Sequence, residues 1–328
     1  MRTVATVVVA VLTMLSCDSA APRTTPLQVR GPAGEAVPIQ VTQVPLDPQD
    51  PGRSRLGSFV YAGGIEFRVA DGSVSLELSD LRIVSGDHMI AISDQGRFFE
   101  ARLLFDQAGH LSGLADLRVT PLIDEQGRMM EVADADAEGI EVLPGGDRLV
   151  SFEKDHRIWR YPADGSAPRR VPMPDAVLPA NEGMEAITYY PAAGADAYLV
   201  GAEGGTIWLC RFDTACSETD FGRLVAKGLG LTALAAYGQG GAFAILGRSW
   251  TAQEGNHISV RLISTAGAPG GRLVDEMLIA RPLTVDNFEG VAVMPRRDGT
   301  LRLYLISDDN AAATQHTYLF AFDWRPAR

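Results

Sequence analysis

Five times between residues 79 and 308 the chain repeats a two-part unit, and this periodicity limits its architecture more than any other feature. Each unit opens with a short apolar strand, turns, and runs back in a second strand that ends on a polar residue. The openings are Ser79-Asp80-Leu81-Arg82-Ile83, Glu138-Gly139-Ile140-Glu141-Val142, Glu182-Gly183-Met184-Glu185-Ala186, Thr232-Ala233-Leu234-Ala235-Ala236 and Glu289-Gly290-Val291-Ala292-Val293. The second strands end at Ser93-Asp94, Phe152-Glu153, Ala202-Glu203, Gly247-Arg248 and Ser307-Asp308. Within a unit the two marks lie 15, 15, 21, 16 and 19 residues apart, and successive openings are separated by 59, 44, 50 and 57. Glycine turns such as Pro144-Gly145-Gly146-Asp147 divide the two strands, as a hairpin requires. A period near fifty with about four strands per unit describes propeller blades. One such blade cannot bury both of its faces, so the blades must stack in a ring. The expected fold is therefore all-β, a single β-propeller of five to six four-stranded blades, with six favoured. Residues 55–74 supply either the sixth blade or the strand that closes the ring. An open β-sandwich is the alternative, but sandwiches seldom repeat the same dipeptide marks.

A propeller gathers equivalent residues of successive blades at one mouth, although they lie some fifty positions apart in sequence. Glu138, Glu182 and Glu289 are thus expected in one ring, where Ser79 and Thr232 interrupt the run of carboxylates. Asp94, Glu153, Glu203 and Asp308, together with Arg248, are expected in a second ring close by. Asp136, Asn181, Asp286 and Asn287 flank the first. So many carboxylates around one opening repel each other unless protons or cations offset the charge. The alternative is structural service: carboxylates accept backbone N–H bonds between blades, glycine allows tight blade packing, and Arg248 pairs with a neighbouring acid.

Five of these segments, taken together and in order, resemble a known family. They are Ile92-Ser93-Asp94-Gln95-Gly96, Asp136-Ala137-Glu138-Gly139-Ile140, Asn181-Glu182-Gly183-Met184-Glu185-Ala186, Leu246-Gly247-Arg248-Ser249-Trp250 and Asn287-Phe288-Glu289-Gly290-Val291. The family is the bacterial phytase-like group, labelled "esterase-like activity of phytase", and the resemblance spans roughly residues 55–325. It implies a β-propeller and, by a more distant analogy with alkaline phytases, Ca²⁺ and phosphoester chemistry. On that reading Glu138, Glu182, Glu289 and Arg248 are catalytic, while Asp94, Glu153, Glu203 and Asp308 hold metal. Arg248 is a fixed cation where other blades place acids, and it suits bidentate clamping of phosphate. Lys154, His156 and Arg157 add positive charge at the rim. The chain has only five His and no dense Lys/Arg cluster, which a substrate as phosphate-rich as inositol hexakisphosphate would call for.

The N-terminus reads as an address. Met1-Arg2 and the apolar run 4–15 match a signal peptide and are too short to span a bilayer comfortably. The run ends at Met14-Leu15-Ser16-Cys17, which resembles the lipobox of bacterial lipoproteins, with Met14 at the position usually held by leucine. The resemblance implies that Cys17 is lipidated, anchoring the protein at the periplasmic face of a membrane, and Asp18 resembles an inner-membrane retention signal. Ordinary cleavage without a lipid is the alternative. Residues 18–54, with seven prolines up to Gly52, read as a tether, so the propeller is expected to occupy 55–328. Cys210 and Cys216 suit a loop disulfide in an oxidising compartment, with two free thiols as the alternative.

A formal net charge of −12 makes nucleic acid an unfavourable partner and suits hard cations, though acidity also serves solubility alone. The sequence lacks a Gly-x-Ser-x-Gly elbow, a Walker loop, a dinucleotide fingerprint and a His-Glu-x-x-His pair. Asp308-Asp309-Asn310 is oxygen-rich without the spacing of an EF-hand. Trp159, Trp208, Trp250 and Trp324 are expected to pack between blades. The expected function is a Ca²⁺-dependent phosphoester hydrolase of the cell envelope, acting on a small phosphorylated substrate. The alternative is a non-catalytic propeller lipoprotein that binds a ligand or a protein.

Overall fold

Runs of Val, Ile, Leu and Phe broken by glycine turns fold throughout as antiparallel hairpins, because each run is too short and too β-branched to sustain a helix. The computed structural model describes residues 34–179 and 182–326. Its strands form five sheets arranged as blades. Blade 1 runs from Leu78–Val84 outward through His88–Ser93 and Arg97–Phe105 to Leu111–Pro121. Blade 2 comprises Ala137–Val142, Arg148–Phe152, Arg157–Tyr161 and Arg169–Arg170. Blade 3 comprises Ala186–Tyr189, Ala197–Gly201, Ile207–Arg211 and Thr214–Glu218. Blade 4 comprises Gly230–Tyr237, Ala242–Thr251, Gly255–Ser264 and Arg272–Ala280. Blade 5 takes three strands from the C-terminal part, Asn287–Pro295, Leu301–Asp308 and Tyr318–Trp324, and its fourth, Phe59–Val69, from the N-terminal part.

The favoured count of six gives way to five. Phe59–Val69 pairs with Tyr318–Trp324, so the stretch that offered a sixth blade instead closes the ring. The folded part also begins before Arg55. Glu35–Ala36 extends blade 1, Ile39–Gln43 extends blade 5, and Leu46 is fully buried between blades 4 and 5. Residues 35–54 are therefore built into the propeller rather than into a tether; their prolines fall between paired segments, where no ladder hydrogen bond is lost. Cys17, Asp18, the apolar run 4–15 and Asn181 lie outside the described residues. Among the described residues no helix is long and apolar enough to cross a membrane.

The core consists of five wedges, one at each junction between neighbouring blades. Phe152 and Trp159 fill the junction of blades 1 and 2, Tyr198 that of 2 and 3, Phe243 that of 3 and 4, Phe288 and Phe320 that of 4 and 5, and Phe67 and Phe99 the last. Burying each such ring contributes roughly 1.5–3 kcal/mol, so every blade depends on both neighbours. Cys210 and Cys216 are joined by a disulfide that ties the two outer strands of blade 3.

The five innermost strands touch one another in a closed circle. Arg82 of blade 1 crosses its centre. Its guanidinium donates to the carbonyls of Ile187 in blade 3 (2.6 Å), Leu234 in blade 4 (2.9 Å) and Val291 in blade 5 (3.2 Å). It also pairs with Asp80 (2.9 Å) and with Glu141 of blade 2 (3.3 Å). One side chain thus joins all five blades and blocks the axis.

Candidate functional site: an acidic mouth above the axial plug

Hydrogen-bond register decides which residues face the axis. In blades 1, 2, 4 and 5 the pairing of the two inner strands is interrupted by a bulge at the same place: between Leu78 and Asp80, opposite Val150 and Phe152, between Leu231 and Ala233, and between Phe288 and Gly290. A bulge leaves one residue unpaired and re-aims its side chain. The residues so placed are Ser79, Glu138, Thr232 and Glu289. In blade 3, Ala186 pairs with Gly201 and Ile187 with Val200, which puts Glu185 at the corresponding position.

The third opening is thus shifted by three residues from the sequence reading. Glu182 is exposed, and Glu185 takes the place expected for it. The Glu-Gly pairs have two different causes. A Cβ on Gly139 would lie 2.9 Å from the Glu185 carbonyl oxygen, and one on Gly290 would lie 2.8 Å from Asp80 Cα, so these glycines admit the next blade. A Cβ on Gly183 would instead meet Glu153 Cγ at 2.7 Å, so this glycine makes room for an acid of the preceding blade.

Asp94, Glu153, Glu203 and Asp308 stand where expected, at the ends of the second strands, whereas Arg248 lies inside Ala242–Thr251, paired with Gly230 where the inner strand of blade 4 begins. A third set contributes from where the inner strands of blades 1, 2 and 5 begin. There Asp136 and Asn287 join Glu77, which the sequence reading missed. The backbone oxygens of Asp136 and Glu77 accept from Glu153 (2.9 Å) and Asp94 (3.3 Å).

Carboxylate oxygens of Asp136, Glu138 and Glu153 lie within 4.8 Å of one another. Lys154 Nζ sits 2.6 Å from Asp136 Oδ2, and Gly183 N donates to Glu153 Oε1 at 3.2 Å. Across the mouth, Arg248 Nη2 lies 3.2 Å from Glu289 Oε1 and Arg248 Nη1 donates to Asn287 Oδ1. Asn287 Nδ2 in turn donates to Glu289 (2.8 Å) and Asp308 (3.3 Å). Arg248 Nε and Thr232 Oγ1 are buried with no partner among the described residues.

Burial and mutual repulsion drive these acids toward their protonated forms. Burial first, then the charges of Glu185, Glu289, Asp136 and Glu153, hold Glu138 well above the usual carboxylate range. Glu185 is raised in the same way by burial, Glu289, Glu153 and Glu203. Burial lifts Asp94 to about 7, helped by Glu77 and Asp308, and lifts Asp308 to about 8, helped by Glu289. Burial takes Glu289 to about 7 although Arg248 opposes it, and Glu153 is also raised.

Such a cluster holds protons or cations. Its donors are all oxygen, without Cys or His, which suits Ca²⁺, Mg²⁺ or Mn²⁺ and not a thiolate- or imidazole-seeking metal. The three clustered oxygens of Asp136, Glu138 and Glu153 fit a hard cation by chemistry and by spacing. Glu203 borders the cluster through its charge on Glu153 and Glu185. Asp286 faces the side of the mouth, where it accepts from Asn287 N (2.9 Å) and His316 N (2.9 Å). Arg157 stacks on Phe152 and Trp159, and His156 bonds to the Pro179 carbonyl.

Trp159 and Trp324 are buried between blades and Trp208 packs at the junction of blades 2 and 3. Trp250 does not: it is 63% exposed, on the wall of a cleft beside the mouth. The sequence reading missed it because Leu246-Gly247-Arg248-Ser249-Trp250 reads as a strand end, and the strand continues to Thr251.

Fold and site together define a five-bladed propeller with an acidic, oxygen-lined axial mouth. The family model "Phytase-like: Esterase-like activity of phytase" matches residues 76–311, and the chain belongs to that family. No curated protein matches the chain. Among solved structures, a protein of unknown function from Bacteroides thetaiotaomicron is 8% identical with a TM-score of 0.47, over 88% of this chain and 70% of that one. The Malassezia sympodialis allergen Mala s 1 is 15% identical with a TM-score of 0.45, over 83% and 91%. The Cps50 (Swd1) β-propeller domain of Myceliophteria thermophila is 11% identical with a TM-score of 0.42, over 89% and 97%.

Proposed function

We propose that this protein is a Ca²⁺-dependent phosphoester hydrolase of the cell envelope, held at the periplasmic face of a membrane by a lipid on Cys17. The observation that carries the reading is the Asp136, Glu138 and Glu153 oxygens clustered within 4.8 Å in a mouth that also holds Arg248. These three side chains hold the cation, with Asp94, Glu203 and Asp308 in the surrounding acidic shell. A bound divalent ion neutralises phosphate charge and makes water a better nucleophile. Arg248 binds a phosphoryl oxygen through its unpartnered Nε and through donors now on Asn287 and Glu289. Glu185, a carboxyl that burial and the neighbouring Glu289, Glu153 and Glu203 hold well above the usual carboxylate range, accepts the proton of the attacking water in its ionised form.

A second reading has its own support. Lys154 on Asp136 and Arg248 on Glu289 already offset part of the charge, as they would in a mouth that only binds a ligand. Chelator-stripped protein assayed on phosphomonoesters and diesters, with and without added Ca²⁺, separates the two. Turnover that returns with Ca²⁺ supports the hydrolase. No turnover of any ester by folded protein in Ca²⁺ removes it in favour of the binding propeller. Globomycin-sensitive processing and fatty-acid labelling that disappears in Cys17→Ser test the anchor.

A further inference from the structure

Beside the acidic mouth, between blades 4 and 5, lies an open cleft of about 1040 Å³, large for a site that holds a single phosphate. Arg248, Asp286 and Asn287 line it, so the cleft and the acidic mouth share three residues. Its outer walls add aromatic and apolar surface that the mouth lacks. Trp250 stands on the strand Ala242–Thr251, directly across the hairpin from Asn256, whose Oδ1 is buried without a partner. On the other side His316 and Tyr318 stack with ring centroids 5.4 Å apart at 18°. Residues 44–48, folded over blade 5, form an apolar wall through Val44, Pro45 and Pro48, and are fixed there by Thr284, which donates N–H to the Leu46 carbonyl (2.9 Å) and its hydroxyl to that of Pro45 (2.7 Å). At the rim Arg281 is exposed and makes no salt bridge among the described residues. Its guanidinium lies over Gly255, where a Cβ would meet it at 3.0 Å.

An aromatic face, an apolar wall and a free cation do not suit a small polyanion, which would leave the apolar surfaces wet. They suit a planar ring attached to an anionic group. We infer that the cleft between blades 4 and 5 is the subsite for the organic part of the substrate, taking its ring against Trp250 while the anionic end meets Arg248 at the mouth. The substrate class is thereby a ring-bearing phosphomonoester. This rests on the hydrolase reading for the fate of the anionic end, but the ring's seat is independent of it.

The test is calorimetric titration of the full chain with phenylphosphonate and methylphosphonate, neither of which is hydrolysed, with Ca²⁺ and again in chelator. The phenyl compound is expected to bind about tenfold more tightly than the methyl compound in both conditions. Trp250→Ala erases that advantage, and Arg281→Gln weakens both probes severalfold, with circular dichroism unchanged for each. Equal binding of the two probes, no binding of either, or an advantage that survives Trp250→Ala overturns the inference. A phenyl advantage that persists while Ca²⁺ tightens the binding of neither probe keeps the subsite and removes the metal-dependent reading of the mouth.

Discussion

Arg248 Nη2 lies 3.2 Å from Glu289 Oε1, one cation set among acids that all push each other toward protonation. Its neighbours on the equivalent positions of the other blades are Asp94, Glu153, Glu203 and Asp308, so removing it leaves a ring of one sign. Arg248→Met is expected to lower kcat/KM on phosphoesters by about 10- to 100-fold, the range for losing a charge-assisted contact of roughly 1.5–3 kcal/mol. Arg248→Lys restores only part of this, because an ammonium cannot reproduce the fork geometry. Steady-state kinetics on the two variants decide it; full activity in Arg248→Met would show that the arginine serves the ring alone.

Glu185 and Glu182 offer a sharp contrast within three residues. Glu185 sits among Glu289, Glu153 and Glu203, whereas Glu182 is exposed. Glu185→Gln is expected to abolish most activity and to weaken Ca²⁺ binding, yet to raise the melting temperature in chelator, since it removes a buried carboxylate held by like charges. Glu182→Gln should change neither by more than about twofold, as exposed substitutions rarely do. Paired activity and melting curves test both halves, and equal effects of the two would refute the register.

The repeat in the sequence was enough to reveal the propeller, the second set of acids at the strand ends, and two of the three inner glutamates. It misled in blade 3 because a glycine after a glutamate arises wherever a neighbouring strand comes close. At Gly139 that neighbour is the backbone of the next blade, and at Gly183 it is the side chain of Glu153. Glu185-Ala186-Ile187 was the better match by apolar alternation, but Ala186 hid it. The blade count was ambiguous for a related reason: one strand of the closing blade comes from residues 59–69, and ring closure across the chain leaves no local mark. Glu35–Gln43 reads as tether because the seven prolines between residues 18 and 52 outweigh two short strands. Trp250 was read as core since aromatic residues in strands usually are.

Stability should depend on pH in a direction fixed by the mouth. An acid whose pKa is higher in the folded chain binds more protons there than in the unfolded chain, where it titrates near roughly 4. Asp94 and Glu289 at about 7 and Asp308 at about 8 are all of this kind. Their protonated forms are tolerated at pH 5, and the stability they carry is lost as pH rises through 7 to 8. Metal-free protein is therefore expected to melt at a lower temperature at pH 8.5 than at pH 5.5. Added Ca²⁺ should raise melting much more at pH 8.5, where the oxygens are free of protons. Thermal melts at the two pH values, with and without chelator, check this, and a Ca²⁺ effect larger at pH 5.5 would contradict it.

Arg82 should be the most costly single truncation in the chain. It is buried, donates to carbonyls of blades 3, 4 and 5, and neutralises Asp80 and Glu141. Arg82→Met keeps most of the volume but leaves two buried acids facing each other and three carbonyls without a donor. Breaking a buried charge pair this way costs about 3–5 kcal/mol. Glu141 keeps the Thr188 hydroxyl (2.8 Å) and the Tyr189 N–H (3.0 Å), which softens the loss on that side. Asp80 keeps the Leu81 and Ile140 N–H groups (2.8 and 3.2 Å). The double variant Arg82→Met with Asp80→Asn should recover part of the stability, because it removes the acid that the single change strands. Urea denaturation of the wild type and the two variants measures both differences. A single variant within about 1 kcal/mol of wild type would mean that the wedges between blades, and not the axial arginine, hold the ring closed.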